Sequence, residues 1–295
     1  MTMHETAVLF DCEGDELVGV ITAPEATGSD LGVLVIVGGP QYRVGSHRQF
    51  VLLARGLAKA GFPCMRFDYR GMGDSMGEAR SFDDVNSDLR AALNAFLDRM
   101  PGVRRVVLWG LCDGASAACS FAPTDDRVAG MVLLNPWVKT DTGEAKTMLR
   151  HYYLRRLLSR SFWAKLLSGG VSVRGSLGGL NGAVARARGR NVSGENRDNR
   201  DLPGKMAVAL HRADKPFVVF LSERDYVARE FEQVVRDGAW EGLVAAREPQ
   251  RIAGADHTFS SAVWRDEVET KTAEWVGRIS ATPQSRKSDQ EAHHV

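Results

Sequence analysis

The chain is poor in cysteine, and the little it has is not organised. Among 295 residues there are four cysteines, Cys12, Cys64, Cys112 and Cys119. They form no CxxC pair and have no histidine at metal-ligand spacing, so neither a zinc site nor a disulfide framework is expected. No apolar run reaches the length of a membrane span. The first residues mix His4 and Glu5 into a short apolar stretch and lack the basic start and apolar middle of a signal peptide. A cytoplasmic protein with reduced thiols is the expectation. Net charge is nearly absent at +1, which argues against nucleic acid as the main partner, since phosphate binding needs a strong basic excess. Neither the P-loop nor the dinucleotide glycine pattern occurs, and no cofactor or metal is implied. There is no internal repeat.

What is present suffices for a core. Hydrophobic residues make up 44% and charged residues 25%, ordinary for a globular chain long enough for one large α/β domain with an insertion or for two modest domains. Two strands over 6–10 and 16–21 flank the turn Glu13-Gly14-Asp15, as a hairpin would. Apolar runs over 33–37, 63–67, 103–109, 128–134 and 216–221 read as strands buried on both faces. A shorter strand is expected near 247–252. Helical stripes alternate with them, over 47–60 (ended by Gly61), from an N-cap at Ser81 through Val85, Leu89, Leu93 and Phe96, over 228–236 and over 261–279. Alternation of strands and helices implies a mostly parallel eight-stranded sheet flanked by helices.

The alternation pauses after the sixth strand. Residues 137–213 carry no convincing buried strand and begin with a basic helical segment, in which Arg150, Arg155, Arg156 and Arg160 alternate with Tyr152, Tyr153, Leu154, Leu157 and Leu158. From 139 to 205 there are fourteen Lys and Arg against five Asp and Glu. An insertion there overlies the carboxyl ends of the strands, where an open α/β sheet binds its ligand. The expected organisation is a core of 1–136 with 214–280, a helical basic lid over 137–213 and a frayed tail over 281–295.

The chemistry is concentrated in Gly110-Leu111-Cys112-Asp113-Gly114. A β-branched run precedes it and the small-residue stretch Ala115-Ser116-Ala117-Ala118 follows. Strand, G-x-nucleophile-x-G, helix is the pattern of a nucleophile elbow, here with cysteine where serine is usual. The glycines are required because side chains two before and two after the nucleophile would collide with the neighbouring strand and helix. A thiol is mostly protonated at neutral pH and needs a base, itself oriented by a carboxylate. His257 lies just past the last expected strand, and no other histidine is so placed. Asp225 lies just past the strand before it. Glu223 and Asp256 are alternatives to Asp225, although Asp256 is poorly placed to reach the ring of its own neighbour. An oxyanion needs two backbone donors. Asp113 supplies one, and in Gly38-Gly39-Pro40-Gln41 the second must come from Gln41 or Gly39, because Pro40 has no N–H; Gln41 is favoured. Tyr42, Arg43 and His47 continue that loop as candidate substrate contacts. The Asp68 to Ser75 segment reads as a structural brace for it.

With these residues assembled, the chain resembles the α/β-hydrolase superfamily over nearly its whole length. More narrowly, it resembles the type 1 hydrolase associated with the exosortase A system of Gram-negative bacteria. That resemblance rests on the segments 38–48, 67–75, 109–116, 223–231 and 256–260. It implies an α/β-hydrolase fold with Cys112, Asp225 and His257 as nucleophile, acid and base. It implies a genomic setting near protein sorting and exopolysaccharide production, and supplies no substrate. Three activities follow as expectations. The first is hydrolysis of esters or thioesters through an acyl-cysteine; the second is transfer of a small-molecule or carrier-linked acyl group to an acceptor other than water; the third is a non-catalytic binding role.

Overall fold

The computed structural model describes residues 2–26, 28–39, 41–138, 202–236, 240, 242–243 and 248–281. The chain divides into two units, Met1–Val138 with Pro203–Val295, and Lys139–Leu202. All but Leu202 of the second unit lies outside the described residues, and so do the expected basic lid segment and, but for Ala281, the expected tail.

Eight strands are described: β1 (Met3–Cys12), β2 (Asp15–Pro24), β3 (Leu31–Ile36), β4 (Cys64–Phe67), β5 (Arg105–Leu111), β6 (Val128–Leu134), β7 (Phe217–Ser222) and β8 (Gln250–Ile252). They form one sheet in the order β1-β2-β4-β3-β5-β6-β7-β8. β2 is antiparallel to both its neighbours, and every other pairing is parallel. The β1–β2 hairpin turns through Glu13 and Gly14 at φ of 56° and 93°, both in the left-handed region that a tight two-residue hairpin demands. β3, β6 and β7 are buried at every position. Strands covered on both faces have no solvent side to mark with polar residues, which is why they read as unbroken apolar runs.

The helices are α1 (Gln49–Lys59), α2 (Asn86–Arg99), α3 (Asp113–Phe121), α4 (Leu202–Ala213), α5 (Tyr226–Val234) and α6 (Ala262–Ala281). α1 packs on α6, and α2 on α3. The two pairs cover opposite faces. Trp109 meets Phe50 of α1 edge-on and donates its ring N–H to Thr272 of α6, whereas a Cβ at Gly32 would strike Phe96 of α2. Gly32 pairs with Val106 and Val35 with Trp109, an odd offset, and successive strand residues point to opposite sides.

Three local expectations are corrected. Ser81 does not cap α2: its hydroxyl bonds Asp83 and its carbonyl accepts from the Asp84 N–H, so this segment closes on itself as a turn and the helix begins at Asn86. α1 begins two residues late because His47 and Arg48 hold φ of 53° and 61°, which breaks the helical path. Residues 202–213 are a helix that buries Met206, Ala207 and Leu210, and Pro203 onward belongs to the unit containing the sheet. α4 is thus the helix that leads into β7. Pro203 in its first turn is compatible with a helix start, where a missing N–H costs nothing.

Candidate active site

The strand order reverses around β3, which has β4 on one side and β5 on the other. Loops leaving the carboxyl ends of β3 and β5 diverge there and open a crevice. Cys112 follows β5 directly, with φ 61° and ψ −126°, a conformation that an L residue avoids unless its surroundings enforce it. Enforcement is visible. The Cys112 N–H donates to the Leu134 carbonyl at 2.9 Å, and its own carbonyl accepts from Ala115 and Trp137 N–H at 3.0 and 3.2 Å. A Cβ at Gly110 would run into the Gly114 carbonyl, and one at Gly114 would lie 2.6 Å from the Ile36 carbonyl. The spacing of glycines around the cysteine is therefore a steric requirement of this turn.

The loop after β3 is anchored at both ends. Gly39 N–H donates to Asp113 Oδ1 at 2.6 Å, and Arg43 N–H donates to Asp68 Oδ1 at 2.6 Å. Between them the Gln41 side-chain oxygen accepts from the Ser46 N–H at 2.9 Å. Of the two expected donors, the Gly39 N–H is thus occupied, while the main-chain N–H of Gln41 has no partner among the described residues. The Arg43 guanidinium, expected to meet substrate, is instead bound to Asp68 and Asp74. Asp68 is fully buried and also accepts the Asp74 N–H, so the segment after β4 braces the loop after β3. Tyr42 and His47 are exposed.

Asp225 and His257 meet. His257 Nδ1 lies 2.7 Å from Asp225 Oδ2. The other Asp225 oxygen accepts the Val227 N–H at 3.2 Å and caps α5, a bond that fixes the carboxylate in place. The two alternatives point elsewhere: Glu223 accepts the Gly254 N–H, and Asp256 accepts from Thr258 and Ser260. No hydrogen bond joins His257 to Cys112 among the described residues.

Two residues that the sequence motifs do not mark hold the histidine loop. Asn135, fully buried, donates from Nδ2 to Ser222 Oγ at 2.9 Å and to the His257 carbonyl at 3.2 Å, and accepts the Ser222 N–H at 2.8 Å. Ser222 Oγ in turn donates to the Asp256 carbonyl at 2.9 Å. Each ends a buried strand, Asn135 after β6 and Ser222 at the close of β7. A lone polar residue closing an apolar run at the carboxyl edge was the available signal.

Comparison with known proteins agrees with this fold. Residues 31–176, which include β3 to β6, match the hydrolase family model described as serine aminopeptidase, S33. The chain is 34% identical over 82 residues to the quorum-quenching protein AidA of Acinetobacter baumannii, and 30% identical over 90 residues to the polyketide transferase GrgF of a Penicillium species. These stretches are 26% and 29% of this chain, and the chain spans only 27% and 31% of those relatives' lengths. Among solved structures, an esterase of Pyrococcus furiosus superposes with a TM-score of 0.63 at 18% identity over 94% of this chain and 92% of its own. GrgF superposes with a TM-score of 0.61 at 18% identity over 96% and 100%. The chain has the α/β-hydrolase fold.

Within this hydrolase fold the charges around the elbow are uneven. Burial, then the nearby Asp113 carboxylate, pushes the Cys112 thiol well above the usual range, against the Asp113 N–H directed at the sulfur. Burial also raises the Asp113 carboxyl to about 6, against hydrogen bonds from Gly39 and Gly114 and the charge of His257. The three remaining cysteines are buried, and burial pushes their thiols up to about 12, consistent with packing roles. Among the described residues no cluster of His, Cys, Asp and Glu could hold a metal ion, and no helix is long and apolar enough to cross a membrane.

Proposed function

We propose that this α/β-hydrolase cleaves ester or thioester bonds through a covalent acyl-cysteine, with Cys112 as nucleophile, His257 as base and Asp225 as the carboxylate that orients it. The observation that supports this most strongly is the 2.7 Å contact between His257 Nδ1 and Asp225 Oδ2, at the sheet edge where the strained Cys112 projects. With Nδ1–H donating to Asp225, the lone pair of Nε2 is free to take a proton. The thiol is held protonated at rest, so the proton leaves during attack. Cys112 Sγ bonds to the acyl carbon as its proton passes to His257. The oxyanion is met by the Asp113 and Gln41 N–H groups. His257 then returns the proton to the departing alcohol or thiol, leaving a thioester on Cys112. Water, deprotonated by His257, then bonds to the acyl carbon; the C–S bond breaks, the acid leaves and His257 returns the proton to Cys112 Sγ. Tyr42 and His47, exposed in the same loop, are proposed to contact the substrate.

One observation favours a second reading, transfer of the acyl group to an acceptor other than water. Acyl-cysteine is itself a thioester, so exchange with a carrier thiol is close to balanced, and a similar protein is named a polyketide transferase. The experiment is turnover of short-chain acyl thioesters by wild type, Cys112→Ala and Asp225→Asn, with and without thiol, amine and alcohol acceptors. Hydrolysis unaffected by acceptors supports the first reading, and acceptor-dependent turnover the second. Full activity in Cys112→Ala would sink both. A link to exosortase A and exopolysaccharide systems is part of the proposal and rests on the sequence resemblance alone.

A further inference from the structure

The Asp113 side chain joins two parts of the site that must stay in register. Its own N–H is one proposed oxyanion donor, on α3. Its carboxylate takes the Gly39 N–H at 2.6 Å, on the loop that carries the other. The fit is tight. A Cβ at Gly38 would strike the Leu111 carbonyl and lie 2.6 Å from Asp113 Oδ1, and Gly39 takes φ 61°. Four residues beyond Gly39, Asp68 holds the Arg43 N–H, so Gln41 sits between two carboxylate anchors.

We propose that the Asp113 side chain is a positioning residue that latches the loop after β3 onto the nucleophile helix, occupying the Gly39 N–H and leaving that of Gln41 as the second oxyanion donor. The proposal rests on the acyl-cysteine reading for its catalytic meaning, while the latch is a separate, observable fact. The same negative charge opposes a standing thiolate at Cys112 and so favours attack by a thiol that loses its proton to His257 in the act. The titratable groups near the carboxyl are Cys112 beside it, His257 from the loop after β8, and Tyr69 from the segment after β4. The Tyr69 hydroxyl is buried without a hydrogen-bond partner among the described residues. Because burial raises the Asp113 carboxyl to about 6, the ionised acceptor is fully formed above that pH and is lost as pH falls through it. A charge-assisted bond then becomes an ordinary one.

The test is the Gly39 amide proton followed by NMR in wild type from pH 5 to 8. It is expected downfield at high pH, to move upfield with a midpoint near 6, and to stop titrating in Asp113→Asn. In turnover, Asp113→Ala should lower kcat by about 100-fold with little change in KM, the scale of losing one oxyanion donor. Asp113→Asn keeps an acceptor for Gly39 and should restore most of kcat. It should also speed iodoacetamide labelling of Cys112 at neutral pH, because a charge opposing the thiolate is gone. A Gly39 amide shift that is the same in wild type and Asp113→Ala, or an Asn variant as impaired as the Ala variant, overturns the latch. Full turnover by Cys112→Ala overturns the acyl-cysteine reading instead, and the Gly39 amide shift in wild type against Asp113→Ala then decides whether the latch exists.

Discussion

Truncating Asn135 tests how far the histidine loop depends on one buried amide. In Asn135→Ala three hydrogen bonds are lost, those to Ser222 Oγ, the His257 carbonyl and the Ser222 N–H. Ser222 Oγ keeps the Asp256 carbonyl as its acceptor, so it is not orphaned. The Ser222 N–H and the His257 carbonyl are. Ser222 is 2% exposed, and each buried group left unsatisfied costs about 1–3 kcal/mol. Asn135 also holds φ 42°, a left-handed conformation that costs alanine about 1 kcal/mol more than asparagine or glycine. A water entering the vacated polar space would recover part of this. The expected loss is about 2–4 kcal/mol, read as a drop in urea midpoint at unchanged m-value. Asn135→Gly separates the contributions, because it removes the same bonds without the left-handed penalty. Activity should fall too, through kcat more than KM, since a shift of about 1 Å in a catalytic group can cost about 100-fold. A stability loss below about 0.5 kcal/mol, the scale of a surface change, would refute the reasoning.

Other substitutions probe other links. Asp225→Asn should lower kcat by roughly 1000-fold or more while leaving the fold intact, because it disturbs the tautomer of His257; steady-state kinetics beside circular dichroism check it. Gly114→Ala places a methyl against the Ile36 carbonyl, backbone that cannot move aside, and should cost about 1–3 kcal/mol in thermal or urea unfolding. The Arg55 guanidinium, with help from Arg66 and against the cost of burial, holds the Glu5 carboxyl at about 2. The stability this confers is complete above the ordinary carboxylate range and is lost as pH falls from about 4.5 toward 2. Glu5→Gln should therefore be less stable near neutrality by on the order of 1 kcal/mol, with the gap closing in acid, as paired urea titrations across pH will reveal.

The sheet and the elbow were legible because burial on both faces leaves a plain signature. β3, β6 and β7 contain no position that must face water, so their apolar runs mark them, and a strand feeding GxCxG into small residues has few other solutions. The pairing of Asp225 with His257 was legible only in part: both lie just past strand ends on one sheet edge, but Glu223 shares that placement, and only the fold turns Glu223 to the Gly254 N–H and Asp225 to the ring. Local capping was less so. Ser81 carries the residue type of a helix cap, yet its hydroxyl and carbonyl are used within a turn, and composition cannot distinguish the two uses. The left-handed pair His47 and Arg48 has no glycine to announce it. Arg43 had the chemistry of an anion contact, and only the fold reveals Asp68 and Asp74 at its guanidinium. Asn135 and Ser222 stayed hidden because each is a single polar residue whose partner is 87 positions away. α4 falls within the expected 137–213 lid, and only the fold assigns it, from Pro203 onward, to the unit that contains the sheet.

The central claim is a covalent acyl-cysteine at Cys112, and intact-mass measurement tests it most directly. Wild type mixed with an excess of a short-chain acyl thioester and quenched in acid should gain the mass of one acyl group. Peptide mapping should place that group on Cys112, and Cys112→Ala should gain nothing. Turnover without any adduct, together with undiminished turnover by Cys112→Ala, would contradict the account.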